Sequence, residues 1–200
     1  MDKLDIAVVP GDGVGSEVMA EGLKVLRTVA RIHGGLEFRL REFPWGCEHY
    51  LKTGRMMDEN GLDALADHDA ILLGAVGAPG VVPDHVSLWG LLLPIRKTFD
   101  QYVNLRPIKL LQGVPGRLVG KGPEDIDFVV VRENTEGEYS GVGGRVHIGT
   151  PYEVAVQSNI FTRTGTERIM RYAFDLARAR NKSKSVVSVT KSNACNYSMV

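Results

Sequence analysis

The sequence predicts an α/β fold built on a mostly parallel sheet with helices on both faces. Three observations carry that expectation. Short apolar runs suited to strands, Leu4 to Val9, Ala70 to Leu73 and Phe128 to Val131, alternate with stretches of helical period. Two of these runs empty into glycine-rich loops, Gly11-Asp-Gly-Val-Gly15 and Gly74-Ala-Val-Gly-Ala-Pro-Gly80, where a backbone can approach a ligand closely. The last empties into Arg132-Glu-Asn-Thr-Glu-Gly-Glu-Tyr139, which gathers a fixed cation, three acids and a phenol. Ligands of open α/β sheets bind just beyond the carboxyl ends of strands. A solvated loop whose charges pair with one another would have the same composition.

In chain order, Leu4 to Val9 is a buried strand, followed by a helix from about Ser16, its N-cap, with Met19, Leu23, Leu26 and Ala30 on the inner face. Strand, glycine loop and helix begin a nucleotide-binding unit, but Ser16 stands where the Gly-x-Gly-x-x-Gly fingerprint requires glycine. The glycines serve equally well as a tight strand-to-helix turn. Leu36 to Phe43 alternates apolar and polar side chains, as a strand with one solvated face does. A short helix is expected over Gly61 to Asp67, with Leu62 and Leu65 inward, and a buried strand over Ala70 to Leu73.

Leu88, Leu92, Ile95 and Phe99 fall at helical spacing as a core stripe. Pro94 requires either a helix starting near Leu93 or a kink. Arg96, one turn past Leu92, then emerges beside an apolar wall. Tyr102 to Leu111 reads as a strand interrupted at Pro107, and Gln112 to Asp127 as a surface loop. The glycines between Gly141 and Gly149, followed by Tyr152 to Gln157, suggest a protruding hairpin. Thr162 to Arg180 is a helix with Ile169, Met170, Ala173, Phe174 and Ala177 inward. Its arginines are read as a solvated face rather than a nucleic-acid stripe. Val186 to Val189 is a last strand, and a helix beginning at Thr190-Lys191-Ser192-Asn193 runs to Val200.

Lysine plus arginine balances aspartate plus glutamate, 24 against 24, which removes the electrostatic argument for nucleic acid. No apolar run approaches membrane-spanning length, and the N-terminus has no signal-peptide pattern. Cys47 and Cys195 show no metal spacing. A soluble cytoplasmic protein in a reducing compartment is therefore expected.

Arg96, Arg106 and Arg132 all fall at element ends. Three converging guanidinium forks would suit a polyanionic small molecule, because each can hold a carboxylate or phosphate bidentately. Tyr139 and Lys191 close two strand–loop units and are candidate proton-transfer groups. Taken singly, Tyr139 also reads as a packing residue of the hairpin and Lys191 as an exposed lysine at a helix start.

Together, Val9-Pro-Gly-Asp-Gly-Val-Gly15, Leu73-Gly-Ala-Val-Gly77, Ile95-Arg-Lys97 with Asn104-Leu-Arg-Pro107, Arg132 to Tyr139 and Thr190-Lys-Ser-Asn193 appear in order. On these motifs, from residue 4 to 200, the chain resembles the β-decarboxylating 2-hydroxyacid dehydrogenases, the isopropylmalate and isocitrate dehydrogenase group. The resemblance implies two α/β domains around a central cleft, outside the usual dinucleotide-binding (Rossmann) fold, which would account for Ser16. It further implies substrate carboxylates on Arg96, Arg106 and Arg132, a catalytic Tyr139 and a catalytic Lys191. The lysine would take the hydroxyl proton as hydride leaves C2 for the nicotinamide, and the tyrosine would help reprotonate the enolate. The loop Gly74, Ala75, Val76 and Gly77 would line part of the cofactor site. NAD is the implied cofactor, with NADP left open, together with Mg or Mn. No metal ligand is expected within residues 1–200; the aspartates are expected beyond Val200.

The isopropylmalate group carries glutamate seven residues before its first arginine, where Trp89 stands here. The isocitrate group carries serine and asparagine where Gly90 and Leu92 stand. Pro83-Asp-His-Val-Ser-Leu-Trp-Gly90 and Val131 to Tyr139 look like the tartrate/D-malate branch. Bulky Trp89 and Leu92 would fill the space of a larger substituent and leave room for a four-carbon dicarboxylate. The alternatives are 3-isopropylmalate, isocitrate or homoisocitrate as substrate, a non-catalytic regulatory subunit, or a carboxylate-binding module. The chain is expected to be the N-terminal part of a longer protein. Residues 1–101 are read as a first, cofactor-side domain. Residues 102–200 are read as a second domain with a dimer-forming arm near 141–157, in a homodimer with shared sites.

Overall fold

β1 (Asp2–Gly11) is the axis of the first unit, because its side chains alternate between two cores. It pairs in parallel with β2 (Leu36–Glu42) and β3 (Ala70–Ala75), in the order β2-β1-β3. Ile6 and Val8 pack with Met19, Leu23 and Leu26 of α1 (Val14–His33). Ala7 and Val9 face the other way, into a core with Phe43, Trp45, Met56, Leu65, Leu91 and Ile95. Both faces of this parallel sheet are therefore covered, as the sequence pattern requires. The computed structural model describes residues 2–195 and 197. Its contacts divide the chain into two compact units, one ending at Phe99 and one beginning at Asp100.

α1 starts two residues earlier than expected, with Gly13 rather than Ser16 as its cap. The first turn is already closed there, since Gly15 N–H bonds the Asp12 carbonyl and Ser16 N–H the Gly13 carbonyl. α2 (Cys47–Thr53), which has little periodicity, is an addition to the sequence reading, and α3 (Gly61–Ala66) buries Leu65 as expected. Between them Trp45 stacks on Phe43 with ring centres 4.5 Å apart, its indole N–H satisfied by Asp58.

Pro94 is accommodated by a change of helix type. α4 (Asp84–Ser87) continues into a π-helical turn, Leu88–Leu92, and then into α5 (Leu93–Thr98), with Pro94 in its first turn. Leu93 N–H bonds Leu88 O five residues back, so the wider turn absorbs the residue whose N–H is missing. The same widening shifts the phase of the apolar face. Leu91, Leu93 and Ile95 are buried, whereas Leu88 is exposed, so the expected stripe through Leu88 and Leu92 is corrected.

In the second unit the strands run antiparallel, departing from the mostly parallel expectation. No helix connects β4 (Val103–Lys109) to β5 (Asp127–Glu133), so no parallel crossover is imposed. Pro107 does not interrupt β4; it sits in register opposite Val129, because a two-stranded sheet has an open edge where a missing donor costs nothing. β5 is not a buried strand: Phe128 is 49% and Val130 39% exposed. α6 (Arg163–Arg180) meets the opposite, odd-numbered side, where Arg180 pairs with Asp127 and Arg168 approaches Glu133.

Thr162 caps α6 through its side chain. Met170 and Phe174 are exposed, contrary to expectation. Arg168, half-buried, donates to Asp100 at 2.8 Å. Arg163, Arg168, Arg178 and Arg180 all pair with carboxylates of this chain. Lys182 and Arg180 hold the Asp127 carboxyl below the ordinary carboxylate range. β6 (Gly137–Val146) and β7 (Val154–Ile160) form the expected hairpin, with Val142, Val146, Val154 and Val156 exposed on one face.

Val186 to Val189 is not a strand; no partner strand adjoins it among the described residues, and Val189 is 93% exposed. A turn closes at Lys191, whose carbonyl accepts from Ala194 and Cys195. The remainder of the helix expected to reach Val200 lies outside the described residues. Among the described residues no helix is long and apolar enough to cross a membrane.

Leu91, fully buried beside Ile95, makes the π turn testable. Leu91→Ala should lower unfolding free energy by about 2–5 kcal/mol, and Leu91→Met by under about 1.5 kcal/mol, read from urea midpoints.

Candidate functional site

The glycine loops of the first unit pack on each other through bare backbone. A Cβ at Gly15 or at Gly74 would collide with the Pro10 carbonyl oxygen, so the β1–α1 turn and the end of β3 approach more closely than side chains allow. Asp12 then fixes the two together. Its N–H donates to the Ala75 carbonyl at 2.6 Å, and its Oδ2 accepts from Gly77 N–H at 2.8 Å. Oδ1 accepts from Cys47 N–H at 2.7 Å. Asp12 thus holds the Ala75 end of the segment Ala75–Gly77 through its backbone and the Gly77 end, with the start of α2, through its buried carboxylate. The Cys47 thiol lies in the same pocket, and burial followed by the Asp12 hydrogen bond pushes its pKa up.

Gly74, Ala75, Val76 and Gly77 are all half-buried, with Gly77 at φ +115°. Apart from Val76 they present backbone rather than bulk, so these residues fit close approach of a dinucleotide. Further along, Trp89 is 48% exposed on the π turn and carries the Lys97 ammonium 4.9 Å from its ring centre. Leu92 and Arg96 are half-buried on the same helical run.

In the second unit, the register of β4 and β5 places Asn104 opposite Arg132 and Arg106 opposite Val130. Alternate residues share a face, so Arg106 and Arg132 stand on the same side of the ribbon with Asn104 between them. Asn104 Oδ1 accepts from Arg106 Nε at 3.0 Å. The Arg132 guanidinium lies 5.2 Å from the Tyr139 ring centre. Arg106, Asn104, Arg132 and Tyr139 therefore form one polar cluster on the face that α6 does not cover. Ile108, Phe128 and Val130 continue that face as an apolar surface.

The loop joining Arg132 to Tyr139 is held both by its own carboxylates and by ties to Thr162 and to the Gln101 and Tyr102 carbonyls. Glu133 accepts from the N–H groups of Thr135 and Glu136, at 3.0 and 2.7 Å, and from the Thr135 hydroxyl. Glu136 accepts from Thr162 N–H at 2.8 Å and from its hydroxyl at 2.5 Å. Asn134, buried, donates from its side chain to the Gln101 carbonyl and from its N–H to the Tyr102 carbonyl. Glu138 is exposed. Lys191 is also exposed, on its turn, and is not drawn into the arginine–tyrosine cluster. Asp12 and Arg168 escape the sequence reading, whereas the supporting contacts of Glu133 and Glu136 fit the reading of these acids as supporting or surface groups rather than catalytic ones. The recognisable signal for Asp12 is a lone acid between two glycines that no dinucleotide fingerprint requires.

Among the described residues no group of three or more His, Cys, Asp or Glu side chains could hold a metal ion.

The sequence profile described as isocitrate/isopropylmalate dehydrogenase matches residues 5–199. The chain is 52% identical over 199 residues to a probable tartrate dehydrogenase/decarboxylase of Bacillus subtilis. It is 52% identical over 200 residues to D-malate dehydrogenase [decarboxylating] of Escherichia coli. In both matches all of the chain aligns to 55% of the relative, so it spans about half the length of these proteins. An isocitrate dehydrogenase structure from Methylococcus capsulatus superposes with TM-score 0.72 at 26% identity, covering 90% of this chain and 49% of that one. A beta-decarboxylating dehydrogenase structure from Thermococcus kodakarensis gives TM-score 0.57 at 34% identity, covering 90% and 47%.

Removing the Asp12 carboxylate leaves two N–H groups without acceptors, each costing about 1–3 kcal/mol. Asp12→Ala should therefore lower the melting temperature and open the pocket around Cys47. In the unaltered protein iodoacetamide at pH 8 should label exposed Cys195 quickly and buried Cys47 slowly. In Asp12→Ala the Cys47 rate should rise; an unchanged rate and melting temperature would remove Asp12 from this role.

Proposed function

Since the chain belongs to the isocitrate/isopropylmalate dehydrogenase family, we propose that its full-length protein oxidises and decarboxylates a small 2-hydroxy dicarboxylic acid, D-malate or tartrate, using NAD. The observation that carries the substrate class is the placement of Arg106 and Arg132 on one sheet face, with Tyr139 against the Arg132 guanidinium. Two forks on one face suit a molecule with two carboxylates, each held bidentately. We assign Arg96 the same carboxylate-binding task. The names of the tartrate and D-malate relatives support the choice of a four-carbon acid. Half-exposed Trp89, steadied by Lys97, supplies bulk that would exclude a larger substituent.

In this proposal, Lys191 removes the hydroxyl proton as hydride leaves C2, and Tyr139 returns a proton to carbon after CO2 departs. The arginines hold the substrate so that the breaking bond keeps its orientation. NAD, when bound against Gly74–Gly77, accepts the hydride. Mg or Mn, when bound, would supply Lewis-acid stabilisation of the oxyanion that develops as CO2 departs. The apolar face of the β6–β7 hairpin supports a homodimer joined through this arm.

The test is a substrate panel on the full-length protein, with NAD and Mg or Mn, following NADH absorbance. D-malate or tartrate should exceed 3-isopropylmalate in kcat/KM by about 10–200-fold, the range that misfit of a small apolar group produces in a shaped pocket. Comparable values for 3-isopropylmalate would sink the substrate assignment. Arg132→Lys keeps the charge but loses the fork, and should lower kcat/KM about ten- to hundredfold, because a hydrogen bond to a charged group contributes about 1.5–3 kcal/mol.

A further inference from the structure

Arg168 lies on α6, away from the residues that the proposed reaction uses, yet its guanidinium is the most constrained cation of the second unit. It stacks 4.5 Å from the Tyr102 ring centre, donates from one terminal nitrogen to Asp100 at 2.8 Å, and donates from the other to the Thr135 hydroxyl at 2.8 Å. The Glu133 carboxylate stands 3.8 Å from that second nitrogen. The Nε–H is buried without a hydrogen-bond partner. Leaving such a donor unmet costs about 1–3 kcal/mol. The group is therefore oriented by what its two ends must reach, not by what would satisfy the whole side chain.

What its second nitrogen reaches is a relay. The Thr135 hydroxyl accepts from Arg168 and donates to Glu133 at 2.7 Å, and Glu133 in turn accepts from the Thr135 and Glu136 N–H groups. A second tie runs through Glu136 to Thr162, the cap of the same helix, whose hydroxyl accepts from Gly165 N–H at 3.0 Å. The segment gripped in this way, Glu133 to Glu136, is the chain between Arg132 and Tyr139. Arg132 precedes Glu133 directly, and Tyr139 follows two residues after Gly137, which is buried at φ +69° where β6 begins.

We infer that Arg168 is a positioning residue: through Thr135 and Glu133 it uses the rigid body of α6 to set the loop that holds Tyr139 against Arg132. The inference rests on the proposed role of Tyr139 as the proton donor. A helix is a stiff reference, and misplacing a reacting group by about 1 Å costs on the order of 10²-fold in rate. Thr135 and Glu133 thus act on the chemistry without touching substrate.

A double-mutant cycle on the full-length enzyme, turning over D-malate with NAD, tests this. Tyr139→Phe alone should lower kcat by about 10²–10⁴-fold, the usual worth of a general acid. Arg168→Lys keeps the charge and loses the fork; it should lower kcat about tenfold or more while KM for NAD stays unchanged. In the Tyr139→Phe background the loss from Arg168→Lys should vanish, because residues acting as one unit are not additive. Thr135→Val, milder for folding, should repeat the pattern and serves if Arg168→Lys does not fold. Losses that multiply in the double variant would overturn the inference. So would a lowered melting temperature with kcat unchanged well below it. An unchanged kcat in Tyr139→Phe would instead remove the role of Tyr139 itself, and the positioning role with it.

Discussion

A strand that ends at a binding loop leaves backbone N–H groups beyond the last ladder bond, and buried donors without acceptors are costly. In both units carboxylates supply those acceptors. Asp12 takes the N–H groups of Gly77 and Cys47. Glu133 takes those of Thr135 and Glu136, and Glu136 takes that of Thr162. Acids that a composition count would assign to solvent are thereby spent on holding loops open. The cluster beside these loops in the second unit is accordingly cationic or neutral: Arg106, Arg132 and Tyr139 around Asn104.

This division also sorts the two faces of the β4–β5 ribbon. The odd-numbered side meets α6 and carries the ion pairs to Asp127 and Glu133. The even-numbered side keeps its arginines clear of those acids, so no internal carboxylate of the ribbon competes for the forks that a dicarboxylate would occupy. A cation near the Tyr139 ring and a polar asparagine between two arginines are both compatible with an anionic guest. In the first unit the comparable feature is backbone closeness. Gly15 and Gly74 lack the side chains that would hold the β1–α1 turn away from the end of β3.

β1, α1, α3, β3 and α6 fall close to where the apolar period of the sequence puts them, although only part of the expected inner face of α6 is covered. Arg132 and Tyr139 were legible because a strand emptying into polar residues is a local pattern, and their grouping with Arg106 follows from strand register. What was not legible depends on contacts distant in sequence or on changes of helical pitch. Asp12 meets Gly77 across 65 residues, and Arg168 meets Thr135 across 33. The π turn moved burial from Leu88 to Leu91, and Met170 and Phe174 of α6 are exposed. Phe128 and Val130 have strand-like composition but no layer above them in this unit.

In the proposed reading, Arg106 and Arg132 form one carboxylate-binding face with Tyr139 at its edge. A crystal structure of the full-length protein with D-malate tests it most directly. Substrate carboxylate oxygens should lie within hydrogen-bonding distance, about 2.7–2.9 Å, of the guanidinium nitrogens of Arg106 and Arg132, with the Tyr139 hydroxyl adjoining the substrate. D-malate bound elsewhere, with Arg106 and Arg132 unengaged, would contradict it.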